Sequence, residues 1–380
     1  MTAVAIESVA AARERILDAA DRGMGLRIAG SGTWLDAGRP VVASETISTR
    51  ELAGIVEYVP GDLTLTARAG TTLAEVRDAT SAHGQWLALD PPGSSDGTLG
   101  AVVSTASSGP LRTYFGTPRD LVLGVEFITG TGAVARGGGR VVKNVAGFDL
   151  TRLITGSWGS LGVITEVTVR LHARPQADET IGVAMDGDGA ISRARQLLRR
   201  LPFTPYAFEI VNGALGKVIG GSDAMAVVRL GGNTEAVRAQ RDALAEIGDA
   251  RELDPSLWNV LASVEPDQAV VFRLSGLSTD IDRAWSAASS LASQIEGMMI
   301  HATPARGVVR CMVPSTPNAI ATLRRAFASV PTAGRIGERL PADLWSLCSP
   351  PPTADAISSG IKQTFDPRGV LNPGIFGEPT

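Results

Sequence analysis

The sequence is poor in the side chains that most often hold metal ions or cross-link a chain. Its 380 residues include two cysteines, Cys311 and Cys348, and three histidines. Two cysteines exclude a disulfide framework, a four-cysteine zinc site and an iron–sulfur cluster held by this chain alone. No two histidines have the spacing of metal ligands, so we predict no metal site. Any redox chemistry therefore requires a bound organic cofactor.

The chain also lacks an excess of positive charge and long apolar runs. Its formal net charge is −4 and no basic stripe follows the sequence, which argues against nucleic-acid binding. No stretch approaches the roughly 20 apolar residues of a membrane span. Residues 1–23 carry charges throughout, as an amphipathic helix does and a signal peptide does not. We therefore expect a cytoplasmic protein, peripheral at the inner face of the membrane at most through a complex.

Glycine is abundant, with 43 residues, and it concentrates in three regions. The first is the turn at 30–33, GSGT, whose successive amides and hydroxyls suit an anion, although a plain turn has the same pattern. The second spans 86–116 and reads either as the wall of a large flat ligand or as a long mobile surface loop. The third spans 137–175, where Gly156, Gly159 and Gly162 predict close approach of the backbone to a ligand.

Hydrophobic patterning predicts mixed secondary structure in the first half of the chain. We predict a strand over 41–48, a helix over 49–59, a strand over 63–69 and a helix from the capping sequence at 71–75 to residue 83. A hairpin follows within 121–136, because the sequence TGTG at 129–132 separates two apolar runs. Short connections and hairpins favour an α+β fold over a doubly wound nicotinamide-binding fold.

The second half has a regular alternation of strands and helices. Strands are predicted over 180–185, 207–211, 224–230, 269–274 and 307–313, and helices over 190–200, 234–247, 280–296 and 316–329. This order predicts an antiparallel sheet with helices on one face. A proline-marked linker at 173–175 separates it from the first half.

Seven short motifs together resemble the vanillyl-alcohol-oxidase, or p-cresol methylhydroxylase (PCMH), type of FAD-binding domain. Within that superfamily the chain is most similar to the FAD-binding E subunits of bacterial glycolate oxidases. The likeness covers residues 24–175 and the C-terminal tail. The motifs are DPP at 90–92, GTLGA at 97–101, SSGP at 107–110, RDxVLG at 119–124, KNVAGFD at 143–149, GSxGSLGVI at 156–164 and FDPxGxxNPG at 365–374.

The resemblance implies an α+β architecture in three segments. Residues 1–175 would form a two-subdomain PCMH-type FAD-binding domain, and residues 176–345 a cap and substrate domain with an antiparallel sheet covered by helices. Residues 346–380 would return to the FAD domain. The glycine-rich regions contain no histidine or cysteine where relatives attach flavin, so FAD is expected to be bound non-covalently.

The resemblance also assigns cofactor contacts. The turn at 30–33 would hold the pyrophosphate, Asn372 would approach the isoalloxazine, and Arg119 and Asp120 would brace the sheet beneath the cofactor. Residues 159–164 would line the adenine end. The complete predicted set is Gly30, Ser31, Gly32, Thr33, Pro92, Gly97, Thr98, Gly100, Arg119, Asp120, Lys143, Asn144, Gly147, Asp149, Gly159, Gly162, Val163, Ile164 and Asn372.

Three residues are candidates for catalysis. Arg273 lies inside an apolar run, as Arg229 and Arg310 do, and a guanidinium in a sheet can bind a substrate carboxylate or instead face solvent. Lys143 would stabilise reduced flavin or a substrate oxygen, or else face water. His301 is the one histidine placed on or beside a strand of the second half where it can act as a base.

The function implied is FAD-dependent oxidation of a small 2-hydroxy acid such as glycolate. Because the chain offers no second redox centre, electrons would pass to companion flavoprotein and iron–sulfur subunits of a glycolate oxidase complex. Two alternatives stay open. The chain is a non-catalytic FAD-binding or electron-relay subunit of that complex, or a stand-alone FAD oxidase of another alcohol or sugar acid.

Overall fold

The structure, a computed structural model, describes residues 3–139, 148–185, 189–221, 223–247, 249–329, 334–348 and 355–377. The chain divides into two compact units. The first unit comprises Met1–Gly109, Gly116–Arg174 and Pro351–Thr380. The second comprises Pro175–Pro350 together with Pro110–Phe115, a short excursion from the first half of the sequence.

Strands and helices alternate along most of the chain. The strands are β1 Val4–Ala5, β2 Leu26–Ala29, β3 Glu45–Ser48, β4 Ile55–Val59, β5 Thr64–Arg68, β6 Gln85–Trp86, β7 Val122–Ile128, β8 Val134–Gly138, β9 Val163–Arg170, β10 His172–Ala173, β11 Ala177–Ala184, β12 Ala207–Val211, β13 Met225–Gly232, β14 Ala250–Leu253, β15 Val270–Ser275, β16 Met299–Thr303, β17 Val308–Val313 and β18 Arg335–Arg339. The helices are α1 Val9–Asp21, α2 Leu73–Ser81, α3 Leu99–Thr105, α4 Arg112–Phe115, α5 Pro118–Leu121, α6 Leu150–Ile154, α7 Ala190–Arg200, α8 Gly213–Val218, α9 Thr234–Ile247, α10 Leu257–Ser263, α11 Ile281–Ala292, α12 Pro317–Ser329, α13 Trp345–Cys348 and α14 Ala356–Phe365. None of the helices in the described ranges has the length and apolar character that crossing a bilayer requires.

The first unit contains two principal sheets. Strands β1, β3 and β2 form a parallel sheet on which α1 packs through Ala12, Ile16 and Ala19. Strands β4, β5, β9, β7 and β8 form an antiparallel sheet, and its core includes Phe127 and side chains from α2 and α3. The two sheets correspond to two subdomains, each with its own apolar cluster.

The C-terminal tail is part of the first unit. Leu26 at the start of β2 pairs with Leu371, and the backbone of Val370 accepts a hydrogen bond from the Leu26 amide. Asp366 has a fully buried carboxylate, which accepts hydrogen bonds from the Lys362 ammonium and from the amides of Val370 and Leu371 at 2.7–3.0 Å. The FDPxGxxNPG motif therefore forms a clasp that fastens the tail.

The second unit is built on an eight-stranded antiparallel sheet in the order β14-β11-β13-β12-β16-β17-β15-β18. One face carries α7, α9, α11 and α12, whose apolar stripes bury Phe208, Phe272 and their neighbours. The predicted helix-on-one-face arrangement is incomplete, because the short helices α8 and α10 pack on the opposite face around Val227 and Val271. On that opposite face a row of charged side chains accompanies the apolar ones.

One predicted element is wrong. The helix expected over 49–59 is a turn followed by the edge strand β4. Leu52, Ile55, Val56 and Val59 have the i, i+3, i+4, i+7 spacing of an amphipathic helix, which explains the prediction. Gly54 adopts a left-handed conformation, with φ of +117°, and the residues after it pair with β5. Sheet pairing thus overrides the local helical pattern.

Candidate functional site

A groove in the first unit follows the loop after β2 and runs along α3. Segments far apart in the sequence meet there, including the loop at 30–35, the turn at 91–97, the glycine-rich turn at 158–164 and the C-terminal tail. The predicted cofactor residues in its lining are Gly30, Ser31, Gly32, Thr33, Pro92, Gly97, Gly100, Gly159, Gly162, Ile164 and Asn372.

The loop at 30–33 lies close against the start of α3. A Cβ added to Gly30 would lie 2.1 Å from Oγ1 of the buried Thr98, so a larger residue there would separate the two segments. Thr98 itself does not line the groove, because its hydroxyl caps α3 by accepting the amide of Ala101. Ser31 donates to the carbonyl of Asp96 at 2.6 Å, which ties the loop to the second glycine-rich turn.

The charge of the groove lining suits an anionic ligand. Among its described lining residues none is Asp or Glu, and Arg27 supplies a positive charge. Burial lowers the pKa of Arg27 and nearby Asp36 opposes that shift, but a guanidinium stays protonated at neutral pH. The Arg27 guanidinium donates to the carbonyl of Leu35 and so braces the loop. Loop amides, hydroxyls and one cation fit the diphosphate of FAD.

Asn372 joins three segments of the groove. Its Oδ1 accepts the amide of Ile28 at 2.8 Å, and its Nδ2 donates to the carbonyl of Trp158 at 2.7 Å. Asn372 also has a left-handed backbone conformation, with φ of +43°. Both ends of its carboxamide are therefore occupied by the protein backbone, and its position in the groove follows from this clasp.

The glycines at 156–162 are explained first by the protein itself. Gly156 and Gly159 have φ values of +84° and +68°, which favour glycine. A Cβ at Gly162 would lie 2.4 Å from the ring of Phe127, and one at Gly159 would lie 2.8 Å from Nδ2 of Asn372. The protein's own packing and backbone conformation therefore favour glycine at these positions, and close approach of the backbone to a ligand stays a prediction.

Several predicted cofactor residues lie away from the groove lining. Arg119 donates to the carbonyl of Thr155 at 3.2 and 3.3 Å, and Asp120 accepts the amide and hydroxyl of Thr117 at the start of α5. Asp149 caps α6 by accepting the amide of Arg152. Val163 is buried in the core beside α1. Three further predictions, Lys143, Asn144 and Gly147, fall outside the described residues.

The second unit brings His301 into a buried polar group. His301 Nδ1 lies 2.8 Å from Oε2 of Glu209, whose side chain is completely buried. The hydroxyl of Thr303 donates to the other carboxylate oxygen of Glu209 at 2.6 Å, and an Arg112 Nη2 lies 3.4 Å from that hydroxyl. The carboxylate is thus fixed on both sides. A carboxylate oxygen only accepts, so this contact matches the tautomer with the proton on Nδ1 and a free Nε2.

The three sheet arginines differ in how firmly they are paired. Arg229 makes two hydrogen bonds to Asp178 at 2.6 and 2.9 Å. Arg310 is buried between Glu265 and Glu338. Although burial opposes ionisation of Glu338, the Arg310 charge lowers the pKa of that carboxyl.

Arg273 is the least constrained of the three. Its Nη1 lies 3.5 Å from Glu338, at the limit of a hydrogen bond, and its side chain is 37% exposed. In the sheet, Arg273 is the direct cross-strand partner of Arg310, which in turn is the partner of His301. Direct partners point to the same face, so Arg273 and His301 lie on one face separated by a single strand, at roughly 10 Å between backbones.

Sequence reasoning missed Glu209, Arg27, Trp34 and Trp158. Glu209 had a signal, a charge inside the otherwise apolar strand β12, but its partners are 92 and 94 residues away. The tryptophans had none, because each sits in a glycine-rich turn whose packing depends on distant segments.

Comparison with known proteins agrees with the FAD-binding domain predicted for the first part of the chain. Residues 2–138 match the family model of the FAD binding domain. The chain is 36% identical over 238 residues to glycolate oxidase subunit GlcE of Escherichia coli K12, an alignment that covers 62% of this chain and 63% of GlcE. It is 40% identical over 116 residues to the mitochondrial cytochrome-type D-lactate dehydrogenase of Arabidopsis thaliana, covering 30% and 20%. Both alignments span less than two thirds of the relative.

A solved structure resembles the whole chain. The crystal structure of p-cresol methylhydroxylase with substrate bound matches 99% of this chain and 88% of its own, with a TM-score of 0.79 at 15% identity. At this identity the likeness establishes the fold alone. The fold class predicted from the sequence, α+β of the PCMH type, is confirmed.

Proposed function

We propose that the chain oxidises a small 2-hydroxy acid with FAD as the electron acceptor, because residues 2–138 match the model of the FAD binding domain and the chain has a PCMH-type fold. The observation that carries the proposal is the His301–Glu209 pair on the sheet face that also bears Arg273. Similarity to a glycolate oxidase subunit and to a D-lactate dehydrogenase supports the substrate class.

The reaction converts a 2-hydroxy acid to a 2-oxo acid, which removes a hydride from Cα and a proton from the hydroxyl. FAD, when bound, supplies the acceptor for the hydride. The proton requires a base, and His301 Nε2 fills that role. Glu209 is a positioning residue, since its bond to Nδ1 selects the tautomer with a free Nε2 and stabilises the ring once it is protonated.

The substrate carboxylate requires a cation, and Arg273 is the sheet arginine best able to provide it. Arg229 and Arg310 are held by close carboxylates, and separating the buried Arg310 from Glu265 and Glu338 would leave buried charge uncompensated. Arg273 has one long contact and partial exposure. A paired hydrogen bond to a carboxylate would replace that contact at little cost.

We further propose that the electrons leave through companion flavoprotein and iron–sulfur subunits. Support comes from the name of the relative GlcE, a glycolate oxidase subunit. The second candidate, an FAD-binding relay without primary catalysis, is favoured by one observation. Each of the three sheet arginines already has a carboxylate partner within its own unit.

The test is anaerobic reduction of the purified full chain loaded with FAD, followed by flavin absorbance. Glycolate, D-lactate and L-lactate form the panel. We expect bleaching with at least one acid, slowed about 100-fold or more in His301→Gln because a general base contributes 10²–10⁴. Glu209→Gln should slow bleaching and move its pH dependence. His83→Gln, a histidine of the first unit, is the matched control and should behave as wild type.

The carboxylate contact is tested by the same assay. Arg273→Ala should raise the acid concentration for half-maximal reduction by about 10-fold to 100-fold, the loss of a charged hydrogen bond. If Arg273→Ala leaves that concentration unchanged, Arg273 does not bind the substrate carboxylate. If His301→Gln bleaches at the wild-type rate, His301 is not the base. Bleaching that needs an added partner supports the relay. Hydrogen peroxide formed in air without any partner indicates a stand-alone oxidase.

A further inference from the structure

Two tryptophans meet in the FAD groove. The rings of Trp34 and Trp158 lie with centroids 6.4 Å apart and planes 21° from parallel, and both line the groove. This is the separation of an offset stack, and both tryptophans are only partly buried, so part of each indole is accessible from the groove. The indole N–H of Trp34 is buried and has no hydrogen-bond partner in the described part of the chain.

The position of Trp158 is closely determined. Its backbone is left-handed, with φ of +52°, a conformation that a bulky residue adopts rarely and at a cost. Its carbonyl is held by Asn372, and a Cβ at Gly38 would lie 2.8 Å from its ring. Strain held in place by several segments is typical of a ligand contact.

We propose that Trp34 and Trp158 form a stacking surface for the adenine of FAD, with the Trp34 N–H as a donor to the nucleotide. Trp34 directly follows the turn at 30–33, so a dinucleotide whose diphosphate lies on that turn brings a flat ring to the pair. FAD has two such rings, but its isoalloxazine must expose a face to substrate. Gly38 and Ile375 of the same unit pack beside Trp158, and such a fixed platform suits the unreactive ring.

The chemistry of the pair matches this choice. Base–aromatic stacking tolerates any base and contributes about 1–3 kcal/mol per base when tested by substitution. The amides and hydroxyls of the turn hold the diphosphate, and the indoles would supply the apolar contact that such a turn lacks. The inference rests on FAD binding alone and does not depend on the identity of the substrate.

The test measures binding to the full-length apoprotein, with ADP, FMN and FAD as separate probes. Tryptophan fluorescence and calorimetry both report binding without turnover. We expect ADP to quench the fluorescence of the wild type. Trp34→Leu should weaken ADP and FAD binding by about 10-fold to 100-fold and leave FMN binding within about twofold. Trp34→Phe keeps an aromatic ring but removes the N–H donor, so it should weaken ADP binding by about 2-fold to 10-fold, less than Trp34→Leu does.

The control is Trp86→Phe, in β6 and outside the groove lining, which should leave both affinity and ADP quenching unchanged. Failure of ADP to quench the wild type overturns the proposal. Equal ADP affinity in wild type and Trp34→Leu overturns it as well. Selective loss of FMN binding in Trp34→Leu would assign the pair to the isoalloxazine instead. If Trp34→Leu does not fold, Trp34→Phe decides, because a loss of ADP binding well beyond about 10-fold exceeds the loss of the N–H donor and contradicts stacking.

Discussion

The clasp at Asp366 gives a quantitative prediction for the C-terminal tail. Its carboxylate is fully buried and accepts the amides of Val370 and Leu371 at 3.0 and 2.9 Å, besides the Lys362 ammonium. Asp366→Ala leaves two buried N–H groups unpaired, at about 1–3 kcal/mol each. The Lys362 ammonium still donates to the carbonyl of Ser160 at 2.9 Å, so the loss of its carboxylate partner adds little to the destabilisation. We expect the free energy of unfolding of the first unit to fall by about 3–5 kcal/mol.

The assay is urea unfolding of the apoprotein, followed by tryptophan fluorescence and by circular dichroism to detect separate transitions of the two units. Asp366→Asn keeps one acceptor oxygen and should cost less than Asp366→Ala. Asp21→Asn is the matched control, because Asp21 pairs with Arg368 of the same tail at 2.7 Å while both side chains are exposed. That change should cost less than about 0.5 kcal/mol. A cost under about 1 kcal/mol for Asp366→Ala would refute the reasoning.

Two further changes probe the first unit. Gly30→Ala places a Cβ 2.1 Å from Oγ1 of Thr98 and should weaken FAD binding at least 10-fold by calorimetry, whereas Gly61→Ala, with open space around it, should bind FAD as wild type does. Burial, aided by the charge of Arg170, lowers the pKa of His172. The unfolded ring then binds a proton that the folded ring resists, so stability should fall as pH drops below about 6.5, the ordinary value. In His172→Gln the urea midpoint should depend less on pH in this range. An unchanged pH dependence would contradict the role assigned to His172.

Local sequence signals predict elements well where a strong periodicity agrees with the tertiary structure. The helices α7 and α9 have the predicted bounds because their apolar residues recur at helical spacing and each buries that stripe on the sheet. The same spacing over 52–59 led to a wrong helix prediction. Gly54 turns the chain there, and the following edge strand β4 pairs with β5. Periodicity cannot weigh a distant strand against a local helix.

Site residues divide in the same way. Backbone contributors such as Gly30, Gly97 and Gly100 line the groove where a glycine-rich motif placed them, because the motif encodes a local conformation. Glu209 acquires its role from strands formed by residues about 90 positions later, and no local pattern encodes that meeting. A buried carboxylate in an apolar strand must nevertheless be paired, since an isolated one costs several kcal/mol. A lone charge inside a predicted core strand therefore predicts a polar site even when its partner is unknown.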